Sequence, residues 1–274
     1  MDLYLDPTAL AALLDRPDLR DIRVVDTRAS LADGPRGRDL WAAGHIPGAV
    51  HADWLADWGT TVDGVEGMLP EAEEFAAAMS RLGIGDDTLV VAYDDNTLFT
   101  ASRLAWALLH HGHERVAVLD GGLPAWERAG LRVTDETSAV PEPARFAVRP
   151  TGGLRRSMAE VRSLLDRDGV RLVDCRMDET FSASAGRIPG ATRLPAPTLV
   201  GDDGRFRRGE EVAALAAAAG VDRDGPTLLY CGGGVSAAAV LVALREAGYD
   251  NLSLYDGSWS EWSRHEENPV EEHA

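Results

Sequence analysis

The sequence predicts an α/β protein made of two duplicated domains, each a doubly wound parallel sheet. Short apolar segments bounded by Asp and Gly alternate with segments whose apolar residues recur every three or four positions. This is the pattern of buried strands that alternate with helices, with helices covering both faces of a parallel sheet. The motifs of the first half also return in the same order in the second half, and 274 residues are enough for two domains.

Three motifs carry the duplication, and the separation between the two copies shrinks along the chain, as it would if the second copy had shorter loops. The pairs are Val24-Val25-Asp26-Thr27-Arg28 with Leu172-Val173-Asp174-Cys175-Arg176, Gly44-His45-Ile46-Pro47-Gly48-Ala49 with Gly186-Arg187-Ile188-Pro189-Gly190-Ala191, and Asp120-Gly121-Gly122-Leu123-Pro124-Ala125-Trp126 with Asp256-Gly257-Ser258-Trp259-Ser260-Glu261-Trp262. A tandem repeat of one domain therefore accounts for the whole chain.

Each half supplies three short β-branched or apolar strands and at least two amphipathic helices. In the first half we predict strands Arg23–Asp26, Leu89–Tyr93 and Val116–Leu119, with helices Glu71–Leu82 and Thr100–His111. In the second half we predict strands Leu172–Asp174, Thr227–Tyr230 and Leu252–Tyr255, with helices Met158–Asp166, Glu210–Ala219 and Ser236–Ala247. The proline-rich, polar residues 135–150 form the predicted linker between an N-terminal domain, residues 1–134, and a C-terminal domain, residues 151–274.

The composition excludes several classes of function. With 27 basic residues against 45 acidic ones, the net charge is −18, which repels nucleic acid and anionic membranes. All the basic residues are Arg, and the absence of Lys excludes Schiff-base enzymes and the Walker A phosphate loop. We find no membrane span or secretion signal, and the two cysteines make no disulfide framework, so a cytoplasmic protein is expected.

The junction between the strand Thr227–Tyr230 and the helix that follows carries the strongest chemical signal. Ligands bind at the carboxyl ends of strands in an α/β sheet, and a glycine-rich turn before a helix can aim several N–H groups at an anion. A thiol placed there loses its proton readily and becomes a nucleophile. The alternative is a buried, inert cysteine beside a plain turn. We predict a catalytic Cys231 and a substrate-binding loop of Gly232, Gly233, Gly234, Val235 and Ser236.

Together, these motifs resemble the tandem rhodanese family of sulfurtransferases over nearly the whole chain. The resemblance implies a cysteine in the C-terminal domain, here Cys231, that alternates between thiol and persulfide without a metal or organic cofactor. In the N-terminal copy Asp94 stands at the corresponding position. Because a carboxylate cannot carry sulfane sulfur, the N-terminal domain is predicted to be non-catalytic.

The residues after Cys231 leave the sulfur donor open between thiosulfate and 3-mercaptopyruvate. Thiosulfate-type members usually have basic residues directly after the cysteine, where this chain has Gly232 and Gly233. Mercaptopyruvate-type members usually have Ser in place of Gly233 and Thr in place of Ser236. The resemblance therefore implies a small anionic donor without deciding between the two.

A compensating cation is expected because the arginine that the family often places after the second Asp-x-Arg is missing from Met177–Phe181. Arg187 and Arg176 are the predicted substrate-binding cations, and a structural or surface salt bridge is the alternative for each. Cys175 also ends a strand, and we expect a buried, inert thiol there, with a resolving thiol as the alternative.

The expected activity is transfer of sulfane sulfur from the donor to cyanide or a thiol through a Cys231 persulfide. A thioredoxin-like reductant is a further candidate partner. The main alternative is a persulfide carrier or interaction module with little small-molecule turnover. A cysteine phosphatase is disfavoured because it needs an arginine six positions after the nucleophile, where this chain has Ala237.

Overall fold

The structure is a computed structural model that describes residues 2–16, 21–29, 37–95, 98–139, 141–165 and 169–273. The chain forms two compact units. The first consists of Met1–Thr60, Leu69–Thr151 and Asp202–Arg205, and the second of Thr61–Met68, Gly152–Gly201 and Phe206–Ala274. The principal division, between Thr151 and Gly152, follows the predicted linker 135–150, whose extent stays a prediction. Val140 of that linker and Asp166 of the predicted helix Met158–Asp166 lie outside the described residues.

Twelve strands and ten α-helices form within the described residues. The strands are β1 (Tyr4–Leu5), β2 (Ile22–Asp26), β3 (Val50–His51), β4 (Thr60–Val62), β5 (Val65–Met68), β6 (Leu89–Tyr93), β7 (Val116–Leu119), β8 (Arg155–Arg156), β9 (Arg171–Asp174), β10 (Thr192–Arg193), β11 (Thr227–Tyr230) and β12 (Leu252–Tyr255). The helices are α1 (Pro7–Leu14), α2 (Gly37–Ala43), α3 (Ala72–Arg81), α4 (Phe99–His110), α5 (Gly122–Arg128), α6 (Met158–Leu165), α7 (Asp178–Ser182), α8 (Gly209–Ala218), α9 (Val235–Glu246) and α10 (Ser258–Trp262). None of these helices combines the length and the apolar character needed to cross a bilayer.

Each unit contains one five-stranded sheet in which every strand pair is parallel. The first sheet has the order β1-β7-β6-β2-β3, and the second, read in the same direction, β8-β12-β11-β9-β10. The two orders match strand for strand, so the predicted fold of two duplicated parallel-sheet domains is confirmed. The central strands β6 and β11 are buried along their whole length, as expected of parallel strands covered on both faces.

The two cores are built from residues at equivalent positions of the repeat. In the first unit the buried cluster is Leu10, Val24, Ile46, Ala49, Leu89, Val91, Tyr93, Leu119, Leu123 and Trp126. In the second unit it is Val161, Leu172, Ile188, Ala191, Leu228, Tyr230, Tyr255, Trp259 and Trp262. Helices α4 and α9 pack on the two central strands of their own sheets. The alternation of side chains along each strand therefore supplies apolar residues to both faces.

The Asp-x-Arg motif fastens the end of a strand to the loop that precedes the next one. Asp174 accepts hydrogen bonds from the backbone N–H of Arg176 and from its guanidinium, whose Nη2 also donates to the carbonyl of Gly186 at 3.0 Å. The Tyr230 hydroxyl donates to Asp174 at 2.8 Å and accepts from the N–H of Ile188. The first unit repeats this network at Asp26, Arg28, Gly44, Tyr93 and Ile46. Since the ion pair is buried, breaking it by removing one partner costs about 3–5 kcal/mol.

Candidate active site

Cys231 directly follows β11, at the carboxyl edge of the second sheet, and is 2% exposed. Its N–H donates to Ser258 Oγ at 3.1 Å, and its carbonyl accepts from the N–H of Trp259 at 2.9 Å. The carbonyl of Gly232 accepts from the N–H of Ser260 at 2.8 Å. The start of α10 therefore holds the backbone of the predicted nucleophile on one side.

Ser258 adopts a left-handed backbone, φ +53°, which serine rarely does. Its hydroxyl donates to the carbonyl of Tyr255 at 2.8 Å while it accepts the N–H of Cys231. The first unit has Gly122 here, at φ +58°, which needs no such tolerance. A strained residue that bonds the predicted nucleophile is a functional candidate that our sequence reasoning missed. The repeat held the signal, because Asp120-Gly121-Gly122 becomes Asp256-Gly257-Ser258.

The loop after Cys231 leaves several backbone donors without a protein acceptor. Gly234 caps α9 in the left-handed conformation, φ +78°. Among the described residues, no hydrogen bond is made by the amides of Gly232, Gly233, Val235 and Ser236. The twelve-residue helix α9 adds the positive end of its dipole at the same place. These donors can stabilise negative charge on a ligand or on the sulfur of Cys231.

The glycine loop also gives open approach to this edge. A Cβ added to Gly233 would meet no atom within 4 Å, and one added to Gly232 would meet only Thr180 Cγ2, at 3.9 Å. Both glycines are partly exposed, whereas Cys231 is buried. A small donor can therefore come close to the backbone here.

In the first unit, the junction that corresponds to Cys231 carries the carboxylate of Asp94. Asp94 follows β6 as Cys231 follows β11, and it is 1% exposed. Its carboxylate accepts the N–H of Leu98 at 2.9 Å, the N–H of Ala101 at 3.3 Å and the hydroxyl of Thr100 at 3.1 Å. Leu98 caps α4 with φ +60°, as Gly234 caps α9. This fold element is thus suited to hold a negative charge at the position of the predicted nucleophile.

Cys175 directly follows β9, as Cys231 follows the neighbouring strand β11. Tyr230 and Asp174 are register partners, and the N–H of Cys175 continues the ladder by donating to the carbonyl of Tyr230 at 2.8 Å. The Cys175 side chain is fully buried. Burial above all, and then the nearby charges of Cys231 and Asp174, raise the pKa of its thiol well above the usual value. A protonated, enclosed thiol fits the expected inert cysteine.

Arg176 and Arg187 both have protein partners. Arg176 is fully buried, its Nη1 donates to Ser184 Oγ at 2.8 Å, and its Nε and Nη2 are held by Asp174 and Gly186. Arg187 is paired with Glu271, whose hydrogen bond raises the pKa of the guanidinium. The structure therefore gives both arginines structural contacts. Their predicted contact with a donor stays a prediction.

Among the described residues, no three His, Cys, Asp or Glu side chains are grouped so that they could hold a metal ion.

Comparison with protein families gives a match to the rhodanese-like domain at residues 6–129 and again at 157–265. The chain belongs to the rhodanese family. The predicted tandem-domain sulfurtransferase of that family is confirmed.

Two curated rhodanese-family relatives match almost end to end. The 3-mercaptopyruvate sulfurtransferase of Escherichia coli K12 is 34% identical over 96% of this chain and 95% of its own length. SseB of Mycobacterium tuberculosis, provisionally named a thiosulfate sulfurtransferase, is 36% identical over 95% of this chain and 94% of its own. The crystal structure of E. coli SseA, a 3-mercaptopyruvate sulfurtransferase, aligns with a TM-score of 0.84 and 31% identity, covering 94% of this chain and 99% of that one. This rhodanese-family chain is therefore similar to enzymes named for two different sulfur donors.

Proposed function

We propose that Cys231 takes sulfane sulfur from a small anionic donor, thiosulfate or 3-mercaptopyruvate, and passes it to a thiophilic acceptor. The observation that carries this is the set of unpartnered loop amides at the start of α9, next to the thiol. Asp94 supports it, because in the first unit the same junction binds a carboxylate through backbone N–H groups. Backbone donors of this kind stabilise developing negative charge without a cofactor.

In the first half-reaction the Cys231 thiolate attacks the outer sulfur of the donor, and a new S–S bond forms. With thiosulfate, the S–S bond of the donor breaks and sulfite leaves with the electron pair. With 3-mercaptopyruvate, the C–S bond breaks and the enolate of pyruvate leaves, to be protonated by solvent. The enzyme is left as a Cys231 persulfide, whose charge the loop amides stabilise.

In the second half-reaction the acceptor attacks the outer sulfur of the persulfide. The S–S bond of the persulfide breaks, and the Cys231 thiolate is the leaving group. Cyanide is converted to thiocyanate, and a thiol is converted to its persulfide. A thioredoxin-like reductant is a further candidate acceptor, since two thiols can together release the sulfur as hydrosulfide and form a disulfide. The chemistry requires a reduced Cys231, which the cytoplasm maintains, and we propose that location.

The burial of Cys231 favours small-molecule turnover over the alternative of a persulfide carrier loaded by a partner protein. Loading by a partner protein requires that protein to reach the Cys231 thiol itself, and Cys231 is only 2% exposed. The neighbouring Gly232 and Gly233 carry no side chains and are partly exposed, so a small donor has the easier approach.

Intact mass spectrometry after incubation with each donor tests the proposal. We expect wild-type protein to gain one sulfur atom with thiosulfate or with 3-mercaptopyruvate and to lose it when cyanide is added. Cys231→Ser should gain none and should show no turnover, because its hydroxyl cannot form a persulfide. Cys175→Ser is the matched control, and it should still gain the sulfur.

Loading of Cys231→Ser, or loss of loading in a folded Cys175→Ser, would contradict the assignment of Cys231. Loading without steady-state turnover on either donor would instead identify a persulfide carrier. The ratio of kcat/KM for the two donors then names the preferred one.

A further inference from the structure

Arg193 ends the edge strand β10, on the same carboxyl edge of the second sheet as Cys231. Its register partner is Asp174 on β9, and Asp174 is in turn the register partner of Tyr230 on β11. Neighbouring strands lie about 4.8 Å apart, so the Cα of Arg193 is about 10 Å from that of Tyr230. An arginine side chain and a small anion together can span that distance.

The guanidinium of Arg193 is held in place but incompletely bonded. Its Nη2 donates to Asp178 Oδ1 at 2.5 Å and to the carbonyl of Arg176 at 3.3 Å. Its central carbon lies 3.7 Å from the centre of the Phe181 ring. Its Nη1 is buried and has no hydrogen-bond partner among the described residues. A buried donor of a charged group that lacks an acceptor is costly, and an anionic ligand would supply the acceptor.

Helix α7 connects this guanidinium to the loop beside the nucleophile. Phe181, on which the guanidinium stacks, is the neighbour of Thr180, which comes within 3.9 Å of a Cβ placed on Gly232. The charge of Arg193 also reaches the neighbouring strand end, where it opposes the burial that raises the pKa of the Cys175 thiol. Arg193 therefore lies at the same edge as the predicted substrate loop.

The two repeats have different residues at the position of Arg193, and the cation is in the repeat that carries Cys231. The first unit, which lacks the cysteine, has His51 as the register partner of Asp26, and His51 Nε2 meets the carbonyl of Arg28 at 3.0 Å. Arg193 makes the equivalent contact to the carbonyl of Arg176 and keeps a further nitrogen to spare. The unit that carries the nucleophile thus has a permanent cation where the other has an imidazole.

We infer that Arg193 is the donor-binding cation of the site and that its Nη1 binds the anionic group of the sulfur donor, its carboxylate or sulfonate oxygens. Every side-chain nitrogen of Arg176 already donates to a protein acceptor, and Arg187 is paired with Glu271. The inference rests on the proposed reaction of Cys231 and adds the residue that selects a negatively charged donor. Asp178 competes for the same guanidinium and tunes its affinity.

Charge-selective alkylation of Cys231 tests this without relying on sulfur transfer. Iodoacetate is a small carboxylate and iodoacetamide its neutral counterpart, and in both cases the thiolate displaces iodide. The ratio of their rates at Cys231, followed by peptide mass, cancels any change in thiolate content. We expect Arg193→Gln to lower the iodoacetate-to-iodoacetamide ratio about tenfold, the effect of losing one hydrogen bond to a charged group.

Steady-state kinetics supply the second readout. Arg193→Gln should raise KM for thiosulfate or 3-mercaptopyruvate about tenfold and change kcat by less than about threefold, because the lost contact binds the donor before and during the reaction. Arg193→Lys should recover part of the affinity. The matched control is Arg171→Gln, at the amino end of β9 and thus the opposite edge of the sheet, which should leave both readouts unchanged.

Asp178→Asn keeps the inference testable if Arg193→Gln fails to fold, because Asp178 is 81% exposed. We expect this variant to raise the alkylation ratio and lower KM, each about twofold to fivefold, since it removes the negative charge that competes with the donor for the guanidinium of Arg193. An unchanged ratio in folded Arg193→Gln, or in Asp178→Asn, would overturn the role of Arg193 while leaving Cys231 loading intact. A shifted ratio in a protein that gains no sulfur would instead overturn the proposed function alone.

Discussion

At the scale of single residues, Ser258 combines an unfavourable backbone with a bond to the predicted nucleophile. Replacing it by Ala removes the hydroxyl that accepts the Cys231 N–H but keeps a side chain at φ +53°. We expect Ser258→Ala to lower the free energy of unfolding by about 1–3 kcal/mol, because a buried N–H loses its acceptor. It should also slow persulfide formation, since the Cys231 backbone is less firmly held. Urea unfolding and timed intact mass measure the two effects.

Comparison of Ser258→Gly with Ser258→Ala distinguishes the effect of the lost hydroxyl from the effect of backbone strain. Ser258→Gly recreates the arrangement at Gly122, so it also lacks the hydroxyl but accepts the left-handed backbone without strain. Its loading rate should match that of Ser258→Ala while its stability is higher. A Ser258→Gly variant that loads sulfur as fast as wild type would show that the hydroxyl does not position Cys231.

The sequence placed Cys231 and its glycine loop between a strand and a helix because the three are contiguous there, and the structure has them in that place. It could not show the partners of Arg187, since Glu271 is 84 residues away and meets it only in the folded chain. It also did not indicate that Arg193 ends a strand, because no pattern predicted the two-residue strand β10. Features formed by contiguous residues could be predicted from the sequence, whereas contacts between residues far apart in the chain could not.

At the scale of elements, the buried carboxylate of Asp94 stabilises the start of α4 in the first unit. Asp94→Ala would leave the donors of Leu98, Thr100 and Ala101 without their acceptor. We expect the free energy of unfolding to fall by at least about 3 kcal/mol, since each of the three buried donors left unsatisfied costs about 1–3 kcal/mol. Urea unfolding followed by circular dichroism measures this.

Asp94→Asn is the matched control, because it keeps the shape and one carbonyl acceptor but not the charge. It should lose about half as much stability as Asp94→Ala. Both variants, where folded, should still gain sulfur on Cys231, which belongs to the other unit. Loss of sulfur loading in folded Asp94→Asn would mean that the first unit takes a direct part in the reaction.

Long elements were predictable and short ones were not. The predicted strands Leu89–Tyr93 and Thr227–Tyr230 match β6 and β11 residue for residue, and the predicted helix Ser236–Ala247 is displaced by one residue from α9. The two-residue edge strands β3 and β10 were absent from the prediction. Two residues contain no periodicity, so such strands are defined only by their pairing with a neighbour.

At the scale of the whole molecule, stability should fall on mild acidification. His113 is buried, its Nε2–H donates to the carbonyl of Thr88, and burial above all lowers its pKa from the ordinary 6.5. Below about pH 6.5 the unfolded chain takes up this proton more readily than the folded one, so the free energy of unfolding decreases as the pH falls. Urea unfolding at pH 7.5, 6.5 and 5.5 measures the decrease.

His113→Gln should flatten this part of the pH profile, because its amide can still donate to Thr88 but does not titrate. A second decrease should follow at lower pH in both proteins. Carboxylates such as Asp6, whose pKa is lowered to about 2 mainly by the hydroxyl of Thr8, then take up protons in the unfolded chain first. An identical profile for wild type and His113→Gln between pH 7.5 and 5.5 would contradict the assignment to His113.

An aspartate side chain and a cysteine persulfide have one feature in common, a charged terminal atom two bonds from Cβ. Asp94, whose oxygens accept backbone N–H groups, therefore stands in the first repeat where the proposed Cys231 persulfide would stand in the second. The substitution Cys231→Asp would place a carboxylate at the same position of the second repeat. We expect this variant to mimic the proposed persulfide without reacting. The variant should therefore bind the physiological acceptor and allow it to be isolated. A turnover assay with cyanide cannot identify that acceptor.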